Sequence, residues 1–139
     1  MSAGVGLGEW DAQAPQDEPP PAAELYYATL EVFVDAYLLD VYRRPVSSTA
    51  STWCPQWWRH AEAIVRLEAL WRSWEHLRLD PATGMSVWLR DHADHHMAVL
   101  LSSDGPFKGC TEKNHAERPL RPLPSSPAPE GLFASCSDG

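Results

Sequence analysis

Apolar residues return at helical spacing in two long stretches and one shorter one. Leu30, Phe33, Val34, Tyr37, Leu38 and Val41 form one stripe of an amphipathic helix. Thr29 is placed to cap it, Glu31 suits its first turn, and Arg43 and Arg44 suit its C-terminal end before Pro45 stops it. A Ser/Thr-rich loop follows over residues 46–52. The pattern predicts a second helix beginning at Pro55 and running to about Leu79, because a proline at the first helical position gives up only an unpaired donor. Trp57, Ile64, Leu67, Leu70, Trp71, Trp74 and Leu77 line its apolar face. On the outer face, Glu62–Arg66, Glu68–Arg72 and Glu75–Arg78 stand three or four residues apart. Asp80-Pro81-Ala82-Thr83-Gly84 is a turn, and Met85, Trp88, Leu89 and His92 then predict a shorter third helix. Residues 97–101 fit a short buried strand or a last helical turn, closed by Ser102-Ser103-Asp104-Gly105-Pro106. The fold class is therefore mainly α: two long antiparallel helices, a shorter third helix packed across them, and a short extended segment.

Composition sets the borders of that module. Of 139 residues, 13 are proline, and nine of these lie outside residues 24–118. Six of the seven tryptophans fall between Trp53 and Trp88. Residues 1–23 read as a disordered acidic, Pro-rich tail, 24–118 as one Trp-rich helical domain, and 119–139 as a flexible Pro/Ser-rich tail, along which Leu120, Leu123, Leu132 and Phe133 offer anchor points. The net charge is −8, but all 11 Lys and Arg lie in residues 24–123 beside 13 Asp and Glu, so the tails carry most of the acidity. A nearly neutral module lacks the basic excess that opens non-specific nucleic-acid binding. Three dispersed cysteines do not make a disulfide framework, and no apolar run is long enough to span a bilayer. A cytoplasmic protein with reduced thiols and no membrane partner is expected.

Two clusters bear on function. Trp57, Trp71 and Trp74 share the stripe of Ile64 and Leu67 and are expected in the core, whereas Trp58 projects about 100° away and is the ring best placed to face a partner. The second cluster is Arg90-Asp91-His92-Ala93-Asp94-His95-His96. On a helix, His92 and His96 at i and i+4 present two imidazoles to one metal, with Asp91 and Asp94 as acceptors behind them. Cys110 and His115, separated by four residues, resemble the far half of a zinc site. This yields a four-ligand set of His92, His96, Cys110 and His115, with Cys54 or His95 as substitutes. The competing reading is a hydrogen-bonded Asp–His–Arg network with no cofactor at all. Cys54 precedes Pro55 at a helix start, where a thiolate is favoured, but it lacks a partner cysteine or base for nucleophilic chemistry. No Gly-rich phosphate loop or zinc-protease helix is present.

The blocks Trp53-Cys54-Pro55-Gln56-Trp57-Trp58 and Trp88-Leu89-Arg90-Asp91-His92 carry a resemblance that spans about residues 25–115. Tyr42-Arg43-Arg44, Trp71-Arg72-x-Trp74-Glu75 and Gly105-Pro106-Phe107-x-x-Cys110 extend it. Together they resemble a family of small actinobacterial proteins, domain of unknown function 4913. The resemblance implies an accessory role on plasmids, phages or conjugative elements, and it identifies no catalytic residue. The expected function is a non-enzymatic interaction module that meets an unidentified protein partner through Trp58, Arg59, Arg90, Asp91, His92 and His96. The alternatives are a zinc-stabilised domain, and a single-stranded nucleic-acid binder that uses exposed Trp and Arg.

Overall fold

The computed structural model describes residues 24–47 and 49–135. The acidic N-terminal tail therefore lies outside the described residues. Among those described, three helices and one 3-10 turn make up the helical structure, there is no strand, and an isolated bridge joins Val46 and Ser51 within the expected loop.

Helix α1 covers residues 30–41 and starts where expected, with Thr29 Oγ1 accepting the Val32 amide at 3.2 Å. Its middle, Val34–Leu38, is a π-helical turn, in which the Leu39 amide reaches back to the Val34 carbonyl. A five-residue step advances the helix phase, so Phe33 and Leu38 are both fully buried while Val41, expected on the stripe, is 48% exposed. Tyr42 takes the inward side instead and donates its hydroxyl to Asp94 Oδ1 at 2.9 Å.

The long second helix divides in two. Trp57–Arg59 is a 3-10 turn, His60 is extended (φ −109°, ψ 115°), and α2 proper is Ala61–Leu77. The tighter bonds from the Arg59 amide to the Gln56 carbonyl and from the His60 amide to the Trp57 carbonyl tuck Trp57 inward and swing His60 off the helix axis. Helix α2 buries Ala63, Leu67, Leu70, Trp71 and Trp74, and its outer face forms the anticipated Glu62–Arg66 and Glu68–Arg72 pairs, whereas the Glu75–Arg78 pair forms on the inward side.

Glu75 is also buried. Its carboxylate accepts the Tyr26 and Tyr27 amides at 2.8 and 2.9 Å and Arg78 Nε at 3.0 Å, which anchors the chain entering α1. Burial pushes the Glu75 carboxyl up, but the two amides and the Arg78 guanidinium outweigh it and hold the group below its ordinary value of 4.5. A depressed folded-state value means that the carboxylate stabilises the fold above pH 4.5 and that this contribution is lost as pH falls through the folded value. Wild type should therefore lose stability on acidification below that point, and Glu75→Gln should flatten this part of the curve, as read by urea titration at successive pH values.

The turn at 78–83 ends in Gly84, where a Cβ would overlap the Leu77 carbonyl oxygen. The clash is with helix backbone, which cannot swing aside as a side chain can, so Gly84→Ala should cost about 1–3 kcal/mol in the same assay.

Helix α3 runs over residues 84–101 and matches α2 in length, rather than being a short third helix. Residues 97–101 are its last turns, not a strand. It too contains a π-helical turn, Trp88–Ala93, which brings Trp88 and Ala93 inward and leaves Leu89 39% exposed. Trp88 Nε1 donates to the Leu70 carbonyl at 3.0 Å, and Arg66 meets His96 further along, so α2 and α3 run antiparallel. An aromatic core of Tyr27, Phe33, Tyr37, Trp74 and Trp88 joins the three helices, with ring centroids 5.0–6.4 Å apart.

Beyond α3 the described residues, 102–135, form turns, bends and irregular chain with no further helix or strand. Phe107 is buried against the Trp53 ring, 4.9 Å between centroids. Over residues 119–135 the four apolar side chains Leu120, Leu123, Leu132 and Phe133 are all exposed. No helix among the described residues is long and apolar enough to cross a membrane.

Candidate metal centre

Two short segments far apart in sequence meet at one end of α2. The first, residues 52–60, is pinned by the Thr52 amide on the Leu101 carbonyl at 2.9 Å and by the Thr52 hydroxyl on the Ser102 carbonyl at 2.9 Å. The second, residues 105–116, is shaped by the buried Phe107 and by a small turn in which the Thr111 amide donates to the Asn114 carbonyl and the Asn114 amide to Thr111 Oγ1. Gly109 sits at φ +88°, which favours glycine, and lets the chain reverse just before Cys110.

Cys54 and His60 from the first segment face Cys110 and His115 from the second, and one ligand atom from each lies within 4.8 Å of all the others. His60 Nε2 is 3.1 Å from His115 Nδ1. Cys54 Sγ is 3.3 Å from His115 Nδ1, while Cys110 Sγ is 3.6 Å from His60 Nε2 and 3.8 Å from His115 Nδ1. A tetrahedral zinc with Zn–S of about 2.3 Å and Zn–N of about 2.0–2.1 Å requires N···N edges of about 3.3 Å and S···N edges of about 3.6 Å. All four separations thus lie within about 0.3 Å of the edges the ion requires.

The groups around His60 favour its ligating form. The Pro106 carbonyl accepts a hydrogen bond from the His60 ring, and Phe107 meets that ring edge-on at 4.9 Å, so Nε2 is left to face the cluster. Burial, then the neighbouring His115, lowers the His60 pKa and keeps the imidazole neutral. Burial pushes the Cys54 thiol up to about 11, while the Gln56 amide, a donor to its sulfur, pulls the other way. Cys54, His60, Cys110 and His115 would hold a divalent cation here, whose charge would offset the burial effect on Cys54 and favour thiolate ligands. Two thiolates and two imidazoles in a tetrahedron suit zinc, and four protein ligands leave no position open for a substrate.

The sequence-derived ligand set needs correction. Cys110 and His115 are brought together, and Cys54 joins them, but the fourth member of the cluster is His60 and neither His92 nor His96 belongs to it. His96 Nδ1 instead accepts Arg66 Nη1 at 3.0 Å, and its pKa is lowered by burial and then by that guanidinium, an environment that repels a cation. His95 packs on the His96 ring at 5.0 Å. Asp91 pairs with Arg90 at 2.8 Å and Asp94 with Tyr42, so neither carboxylate stands behind a ligand. Trp58 is 53% exposed, and Arg59 beside it donates to Gln56 Oε1. Trp58 and Arg59 border the cluster in sequence, whereas the exposed Arg90–Asp91 pair belongs to the middle of α3.

Helical periodicity from Pro55 hides His60, because a continuous helix makes it one more polar residue on an outer face, whereas the chain breaks there. A signal was available: Cys54–x5–His60 and Cys110–x4–His115 are two pairs of the same kind and nearly the same spacing. The blocks that hold these pairs also lie inside a match to a family model, described as a domain of unknown function (DUF4913), over residues 27–137. The chain belongs to this family. No match was found among curated proteins or among solved structures. Within this DUF4913 chain, therefore, the cluster has to be read from its own chemistry.

Proposed function

We propose that this DUF4913 domain is a small zinc-stabilised interaction module. The observation that carries the proposal is the agreement between the four measured ligand–ligand distances and the edges of a zinc tetrahedron. Zinc would cross-link residues 54–60 to residues 110–115 and so fix a C-terminal segment that has only turns of its own. A single core of this size gains much from such a staple. The closed coordination supports a structural role and a non-enzymatic domain, and free thiols in a reducing cytoplasm are the form that binds zinc. Trp58 and Arg59, displayed next to the stapled end, supply a rigid surface for a protein partner, and an accessory role in mobile-element biology is compatible with such a module.

Elemental analysis of the purified protein should find one zinc per chain, and a strong chelator should lower the melting temperature. Absence of metal together with an unchanged melting temperature in chelator would overturn the proposal. Trp58→Ala should leave zinc content and helicity intact while weakening capture of the partner. If instead single-stranded oligonucleotides quench the Trp58 fluorescence, and salt reverses the quenching, the partner is nucleic acid.

A further inference from the structure

The two cysteines of the centre differ in burial. Cys54 is fully buried, whereas Cys110 retains 8% exposure and forms part of the wall of a cavity of about 310 Å³ whose other lining residues are Val46, Ser47, Thr111 and Glu112. That cavity is large enough to admit small polar molecules such as water or hydrogen peroxide. The two sulfurs lie within 4.8 Å of each other, and Cys110 is held in a segment of turns rather than in a helix.

Resting on the zinc reading above, we propose that Cys110 is a site of oxidation by hydroperoxides, and that the Cys54–Cys110 pair releases the zinc when it is oxidised. The Cys110 thiolate attacks one peroxide oxygen, the O–O bond breaks, and the products are a sulfenic acid on Cys110 and one hydroxide, which takes up a proton to become water. The Cys54 thiolate then attacks the Cys110 sulfur and displaces the second hydroxide, which is also protonated to water, so an S–S bond forms. Two electrons pass from the thiolates to the peroxide, and two protons come from solvent. Zinc keeps only His60 and His115 and dissociates, which unlinks residues 110–115 from the start of α2. The module would then present its partner surface in a reducing environment and lose the ordered end beside Trp58 under peroxide stress.

The test uses the full chain carrying Cys136→Ser, so that any disulfide formed must join Cys54 and Cys110. Zinc-loaded protein is mixed with hydrogen peroxide in the presence of a chromogenic zinc indicator, with a peroxide-free control. The expected result is zinc release in proportion to the loss of two thiols, a mass lower by two hydrogens, and recovery of binding after dithiothreitol and added zinc. Glu112→Trp, which narrows the cavity mouth without touching a ligand, should hold the same zinc and release it severalfold more slowly. Protein that keeps its zinc in peroxide, or that loses it only with oxygen adducts on the cysteines, would overturn this inference while leaving the zinc centre standing. Protein that never takes up zinc fails the reading beneath it instead.

Discussion

Replacing Cys54 with serine is expected to abolish tight zinc binding and to bring the melting temperature of the protein down to that of the chelated wild type. Serine at pH 7 offers a neutral hydroxyl in place of a thiolate, and the three remaining ligands cannot compensate for the lost bond. A ligand that binds only the folded state contributes about 4 kcal/mol when its free concentration is a thousand times its Kd, so a structural zinc accounts for a large share of a small domain's stability. His60→Ala should behave the same way. His92→Ala and His96→Ala should leave zinc affinity unchanged, since His96 faces Arg66 and neither residue joins the cluster. This four-variant comparison, read by competition with a zinc indicator and by thermal melts, separates the two candidate ligand sets. Equal loss of affinity in all four would contradict the geometry.

The second large effect is expected at Trp88. Its ring is fully buried, its indole N–H is bonded to the Leu70 carbonyl at 3.0 Å, and it packs against Phe33 and Tyr37 at centroid distances of 6.4 and 6.0 Å. Trp88→Ala removes that surface and leaves a cavity where the three helices meet, which should cost about 3–5 kcal/mol. By contrast, Trp58→Ala should stay within about 0.5 kcal/mol, because more than half of that ring is already in water. Urea unfolding of the two variants side by side measures the contrast directly. A small effect at Trp88 would mean that the three helices are joined elsewhere.

Much of this architecture could be read from local pattern. The Thr29 cap, the apolar face of α2 and its outer ion pairs are all consequences of a 3.6-residue period acting over one or two turns. The π-helical turns left no such trace. Val41 and Leu89 continue a regular stripe on paper, and only the five-residue step in three dimensions turns them toward solvent. The candidate site was partly legible for a related reason. Cys110 and His115 stand close in sequence and announced themselves as a ligand pair, whereas their partners are more than 45 residues away, on a segment whose apparent helical periodicity hid the break at His60. Long-range pairing of this kind has no period to detect.

The wide turns at Val34–Leu38 and Trp88–Ala93 carry one consequence beyond packing. Each is equivalent to a single extra residue accommodated inside an otherwise regular helix. Deleting one exposed residue from such a turn, for example Asp35 or Arg90, would return the local ladder to ordinary α-helical bonding. Phe33 and Leu38, or Trp88 and Ala93, would then stand four apart and still share a face. Helices α1 and α3 can thus vary in length by one residue without a change in what they bury.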